Sequence, residues 1–295
     1  MFAAITVALA VGAVAERGRM LPTVVFMFVW STIIYDPIAC WTWNPSGWVF
    51  RMGGLDFAGG TPVHISSGCA ALAYSIMLGK RRGHGTHELN YRPHNVTHIV
   101  IGTVFLWVGW FGFNAGSALG ANLRAVMAAV VTNLAAGVGG MTWCVLDYRL
   151  ERKWSTVGFC SGVIAGLVAV TPGSGFVPAW AAVIYGVCGA AGANLGYQIA
   201  DSVAGAAYSF FGTCIILCVM NLIPGLSLRA SEEAEILGID DAEIGEFAYD
   251  YVELTREVLN DTDDAVSKYS PTRDSHTEKI LRRVSDDRLD AMDQI

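Results

Sequence analysis

Long apolar runs, broken at intervals by short polar or glycine-rich stretches, dominate the first 227 residues. Eight segments are separable, near 2–14, 21–39, 57–79, 95–113, 121–146, 156–171, 176–195 and 202–223. Most approach the ~20 residues that a helix needs to cross a hydrocarbon layer. The predicted fold is therefore all-α: a polytopic helical membrane bundle over residues 1–227, followed by an acidic, water-soluble tail over 228–295. The first segment begins at Met1 without a polar flank and is short for a span. It lacks the basic start of a signal peptide, and Glu16-Arg17-Gly18-Arg19 follows in place of a small-residue cleavage site. It reads as the end of a helix whose start is not in this chain. Small residues recur at four-residue spacing, as in Gly162 to Gly166, which predicts close helix packing rather than a wide aqueous pore.

Composition agrees with this pattern. Apolar residues make up 53% of 295 and charged residues 15%, with a mean hydropathy of +0.44, which excludes an ordinary soluble chain. The charge is divided: residues 1–227 hold 11 Lys and Arg against 7 Asp and Glu, and the tail holds 8 against 19. An acidic tail excludes nucleic acid as a partner, because a phosphate backbone demands the opposite sign.

Loop charge sets an orientation. The loops carrying Arg17 and Arg19, Lys80 to Arg92, and Arg149 to Lys153 are read as cytoplasmic. This puts residues 40–55 and 114–122 outside. Continued alternation brings the last helix out near Pro224 and leaves the acidic tail on the exterior. That conflict points to one missing spanning segment. In the tail, Ser231 is predicted to cap a short helix entering Glu232 and Glu233. From about Asn260 the composition predicts disorder, and Arg282-Arg283-Val-Ser285 has the form of a kinase site at Ser285. The seven cysteines show no zinc-type spacing and read as buried small hydrophobes. No metal or cofactor is predicted.

Two features carry candidate chemistry. His64 lies within the apolar run 56–79; a helix starting at Asp56 would place it about 12 Å from that end. An ionisable group at such depth marks a pathway by default, the plain alternative being a packing hydrogen bond to a neighbouring helix. The second feature is aromatic: Trp41-Thr-Trp43 in an outer loop, Phe111-Gly-Phe113-Asn-Ala-Gly-Ser117 at an outer helix end, and Phe2 at the chain start. Such residues usually form an interfacial belt. Two of these clusters converge on the outer face above the His64 helix, where ring faces attract a cation and Ser117 can accept a hydrogen bond from an N–H donor. No nucleophile is framed with a base, so the chain does not read as an enzyme.

These residues resemble a known family. D-F-A-G-G-T-P-V-H at 56–64, R-P-H-N at 92–95, G-W-F-G-F-N-A-G-S at 109–117 and S-G-V-I-A-G-L-V-A-V-T-P at 161–172 look like the ammonium transporter family, related to Rhesus proteins. The tail motif G-I-D-D-A-E-I-G-E-F-A-Y-D-Y at 238–251 resembles its fungal branch. The resemblance covers about residues 1–259. It implies a multi-pass plasma-membrane homotrimer of eleven-helix subunits, each with its own pore for ammonium or ammonia. It implies that Trp43, Phe2 and Ser117 recruit ammonium, that Phe2 and Phe113 are stacked gates, and that His64 is the first of two pore histidines. Asp56 matches an acidic residue near the outer mouth, with helix capping favoured over direct ligation.

The chain also departs from that pattern. The first two helices and half of a third have no counterpart before Met1, and Val7 stands where the family usually has proline. The helix bearing the second pore histidine is missing where Gly192-Ala-Asn-Leu195 runs into Gly196-Tyr-Gln-Ile. His84, His87, His94, His98 and His276 cannot replace that histidine. Two functional readings follow: an ammonium-conducting subunit, or a truncated, non-conducting or ammonium-sensing membrane protein of the same family.

Overall fold

A computed structural model describes residues 1–81, 84, 93–191 and 198–245. Among these every regular element is helical. Helix α1 (Phe2–Val11) tightens into a 3₁₀ turn over Gly12–Val14. Helix α2 (Met20–Trp30) passes through a π-helical turn, Ser31–Tyr35, into α3 (Asp36–Trp43), and a short α4 (Trp48–Arg51) follows. Hydroxyls of Ser31 and Thr32 bond back to the Phe28 carbonyl at 3.1 and 3.0 Å beside that π turn, the kind of competition that loosens a regular helix. A second π segment, Gly60–Ile65, leads into α5 (Ser66–Leu78).

The remaining spans are α6 (Val96–Gly116), α7 (Leu123–Glu151), α8 (Thr156–Val170), α9 (Ala179–Ala191) and α10 (Gln198–Leu222). Asn95, Asn122 and Ser155 cap α6, α7 and α8 by accepting from His98, Ala125 and Gly158 N–H groups at 3.1, 3.0 and 2.9 Å, satisfying donors that a helix start leaves open. Among the described residues, four helical stretches are long and apolar enough to cross a membrane: Met20–Arg51, Val96–Gly116, Leu123–Glu151 and Ser202–Leu222. The protein is a polytopic helical membrane protein. Ser231 caps the short α11 (Glu232–Leu237) by accepting from Ala234 N–H at 3.2 Å, as the sequence predicts.

Contacts along the helices give each a direction. Helix α9 passes from Ala182 to Gly189 while α7 runs from Val131 towards Val138, with Gly186 against Ala135 and Val138. Both therefore run away from the end that bears Phe2 and Trp43. Helix α10 runs the same way beside α5. Gly205 lies against Thr61, the Ser209 hydroxyl donates to the Ser66 carbonyl at 2.7 Å, and Leu217 packs in one cluster with Tyr74 and Leu78. Short loops join antiparallel helices, yet α9 and α10 point in one direction with only residues 192–197 between them; those six lie outside the described residues.

The direction of α10 brings the start of the tail to the basic end of the bundle, the end that strict alternation could not reach without one more span. Ala230 N–H donates to the Arg17 carbonyl at 2.8 Å, and Arg19 N–H to the Leu228 carbonyl at 3.1 Å. The Arg229 guanidinium grips the Glu235 carboxylate at 2.5 and 2.9 Å and reaches the Leu78 carbonyl at 3.2 Å. Glu243 accepts from Arg19 Nε at 3.3 Å and from Met20 N–H at 3.2 Å, at the start of α2, where a carboxylate meets the positive end of the helix. Alternation met its conflict because it assumed that each span reverses the last, whereas α9 and α10 run the same way.

Residues Met1–Ile244 form a compact unit. Ser285, His276 and the segment expected to be disordered from about 260 lie outside the described residues, as do Arg82, His87 and Arg92. The cysteine expectation needs correction. Cys160 is buried, whereas Cys40, Cys188 and Cys218 are exposed on the helix surfaces. They are apolar enough to face lipid and need no core to hold them.

Candidate functional site

The site begins with a backbone feature. Gly59 has φ +107°, and a Cβ there would press on Val63 and Trp43; glycine takes this left-handed conformation without steric cost. The chain thereby turns so that Asp56 lies over the start of the π segment. Asp56 Oδ1 accepts from the N–H groups of Gly59 and Gly60 at 2.7 and 2.8 Å, and Oδ2 from Thr61 N–H at 2.8 Å. Its own carbonyl accepts from Trp43 Nε1 at 2.9 Å. The carboxylate is committed to the backbone rather than open to a ligand.

The helix consequently starts at Gly60, not at Asp56. His64 is four residues in, roughly 6 Å from the helix start and nearer the aromatic end than a continuous helix from Asp56 would place it. Its ring stacks on Trp110, with centroids 5.2 Å apart and planes 13° apart, and tilts against Phe113 at 5.8 Å. Phe113 meets Phe2 at 4.5 Å, and Phe2 meets Trp43 at 5.6 Å. Trp43, Phe2, Phe113 and His64 thus form one column, drawn from four elements far apart in sequence. His64 Nε2 is buried and has no hydrogen-bond partner among the described residues.

Ser117 stands one turn beyond Phe113 and donates to the Phe113 carbonyl at 2.9 Å. A hydroxyl that donates still has lone pairs with which to accept. Ser117 also lines an open cavity of about 670 Å³ with Phe57, Asn122 and Arg124. The column's Trp43–Phe2 end offers ring faces, and Ser117, with its acceptor oxygen, stands one turn along α6 from Phe113. The column's His64 end offers an unpartnered imidazole nitrogen.

Sequence reasoning did not single out Trp110. Helical spacing could have found it, since residues three apart share a face with Phe113 and residues two apart do not. Trp110 is held by a bond from its Nε1 to Thr171 Oγ1 at 2.9 Å, and that hydroxyl donates to the Leu167 carbonyl at 2.8 Å. Thr171→Val would leave the buried indole N–H unsatisfied. We expect it to destabilise the solubilised protein by about 1–3 kcal/mol, read as a lowered thermal midpoint.

Comparison with known proteins gives consistent matches. A family model described as Ammonium Transporter Family matches residues 1–202 and 190–249. Ammonium transporter 1 of Schizosaccharomyces pombe is 52% identical over 333 residues, covering 92% of this chain and 67% of that protein. Ammonium transporter MEP2 of Saccharomyces cerevisiae is 43% identical over 315 residues, covering 85% of this chain and 63% of that protein. The crystal structure of Saccharomyces cerevisiae Mep2 superposes with a TM-score of 0.76 at 42% identity, covering 85% of this chain and 70% of that one. A structure named Sensor Amt Protein superposes with 0.74 at 27% identity, covering 82% and 74%. The chain thus spans about two thirds of the length of these curated relatives. The first alignment extends over more positions than this chain's 295 residues, so part of that relative faces no residue here. The two family-model matches meet at 190–202, around the stretch between the parallel helices α9 and α10.

Proposed function

The chain belongs to the ammonium transporter family, and from that premise we propose that it is an ammonium transporter subunit of the plasma membrane, acting as a homotrimer. The observation that carries this reading is the column Trp43–Phe2–Phe113–His64, whose ring centroids are separated by 4.5 to 5.8 Å. Ammonium is drawn to the faces of Trp43 and Phe2 through their quadrupoles, and its N–H groups donate to Ser117 Oγ. Rings at 4.5 Å leave no space for a hydrated ion, so the Phe2–Phe113 pair must part and the substrate must shed water to pass. The ion's lost hydration is replaced by ring faces and a hydroxyl, and then by His64 Nε2, which has no competing protein partner. Asp56 supports this pathway by positioning the π segment. The acts are binding, desolvation and passage; no covalent bond to the substrate forms. Residues from 228 onward are read as a regulatory tail, with Ser285 as its candidate phosphorylation site.

A second reading has its own support. On the His64 face of α5, Gly68, Leu72 and Ile76 follow at four-residue steps and are exposed, and one of the structures similar to this chain is named a sensor. A pore wall that faces lipid conducts nothing, so the alternative is a non-conducting, ammonium-sensing membrane protein.

Growth of a transporter-null yeast strain on low ammonium separates the two. Transport predicts rescue by this chain, and a drop in uptake of about tenfold in Ser117→Ala, on the order of one strong hydrogen bond to a charged group. A chain that reaches the plasma membrane and fails to rescue sinks the transport reading. Retained ammonium quenching of tryptophan fluorescence in that chain would favour sensing.

A further inference from the structure

At the basic end of the bundle, away from the aromatic column, the foot of α1 and the foot of α5 border a second open cavity of about 570 Å³. Arg17, Ser75, Lys80, Arg81 and His84 line it, with Glu16. Arg17 is only 7% exposed. Its Nη2 reaches Ser75 Oγ at a long 3.4 Å, and its Nε is buried with no partner among the described residues. A buried guanidinium with an empty donor is unusual, because charged groups taken from water are normally fully bonded.

The site is built rather than incidental. The Arg17 carbonyl is pinned by Ala230 N–H at 2.8 Å, so the tail strand fixes the turn that presents this side chain. Nε and Nη2 form one edge of the guanidinium fork, the edge that grips two oxygens of one anion. Three cationic side chains face one carboxylate, Glu16, which lies 3.2 Å from Arg81. Arg17 and Lys80 stand in the lining beside that ion pair, a cationic setting that suits a phosphate oxyanion. From the cavity, Ile76 and Leu72 continue along α5, 58% and 56% exposed. An apolar strip running from a cationic pocket matches an acyl chain attached to a phosphate.

We propose that this cavity is a phosphate-binding site anchored by Arg17, taking either the headgroup phosphate of an anionic lipid or a soluble phosphate ester. The phosphate site itself requires neither the aromatic column nor transport; the apolar strip, on the His64 face of α5, serves an acyl chain only where that face is open to lipid.

Native mass spectrometry of the full solubilised chain tests it with three probes: phosphatidic acid, phosphatidylcholine and inorganic phosphate. We expect phosphatidic acid to be retained about tenfold more than phosphatidylcholine, as one charge-assisted hydrogen bond allows, and to be displaced by inorganic phosphate. Arg17→Gln should lose that preference, and Lys80→Gln, an exposed change that leaves the fold intact, should weaken it severalfold. Phosphate binding without lipid preference, lost in the same variants, assigns the site to a soluble ester. Equal retention of both lipids with no phosphate binding overturns the site, as does full binding in both variants.

Discussion

Asp56→Ala is expected to lower the stability of the solubilised protein by about 3–5 kcal/mol, because three buried N–H groups lose their acceptor and each costs ~1–3 kcal/mol with partial relaxation. Those groups belong to Gly59, Gly60 and Thr61, all buried. The measurement is the thermal midpoint by size-exclusion after heating, with uptake assayed alongside. Asp56→Asn keeps one of the two oxygens and should fall between alanine and wild type, with uptake following the amount of folded protein. If Asp56 instead ligates ammonium, the asparagine variant would lose uptake at nearly unchanged stability. That result would remove Asp56 from the scaffold and place it in the pathway.

The second large effect is expected where α7 and α8 touch backbone to backbone. A Cβ built on Gly162 would collide with the Gly139 carbonyl and come within 2.6 Å of Trp143 Cβ, and one built on Gly139 would collide with the Gly162 carbonyl. Gly162→Ala should cost about 1–3 kcal/mol, the usual penalty for overpacking, and Gly162→Leu should prevent accumulation of folded protein. The disturbance should also reach the site. Helix α8 carries Val163 and Leu167 into the cluster with Trp110, and Thr171 at its end holds the indole on which His64 stacks. Gly137→Ala is the control. Nothing lies within 4 Å of its Cβ position, so it should be neutral or gain up to ~1 kcal/mol from helix propensity. Expression and thermal midpoint of the three variants decide this, and equal loss at Gly137 and Gly162 would show that crowding is not the cause.

Much of the bundle was legible in the chain because span length and hydropathy are local quantities. The 95–113 and 156–171 segments lie within a few residues of α6 and α8, and Ser231 caps its helix where the pattern placed it. The aromatic clusters were legible as residues, but their order was not. Phe111 and Trp110 are neighbours in sequence; helical spacing puts Trp110 on the face of Phe113, and packing against Ala136, Val163 and Leu167 shows that face to be the inside. The start of the His64 helix was misplaced by four residues, since nothing in the run from Asp56 announces the positive φ of Gly59.

By itself the sequence determined an all-helical membrane chain, its apolar segments and a resemblance strong enough to nominate Trp43, Phe2, Phe113, Ser117 and His64. Those follow from composition and motif, which need no partner elsewhere in the chain. Only the tertiary structure decided that Asp56 caps the π segment, that Trp110 backs His64 and that α10 runs parallel to α5. Residues 228–243, at the start of the tail, lie at the basic end. Each of these depends on which distant residues meet, and chain order alone does not encode such meetings.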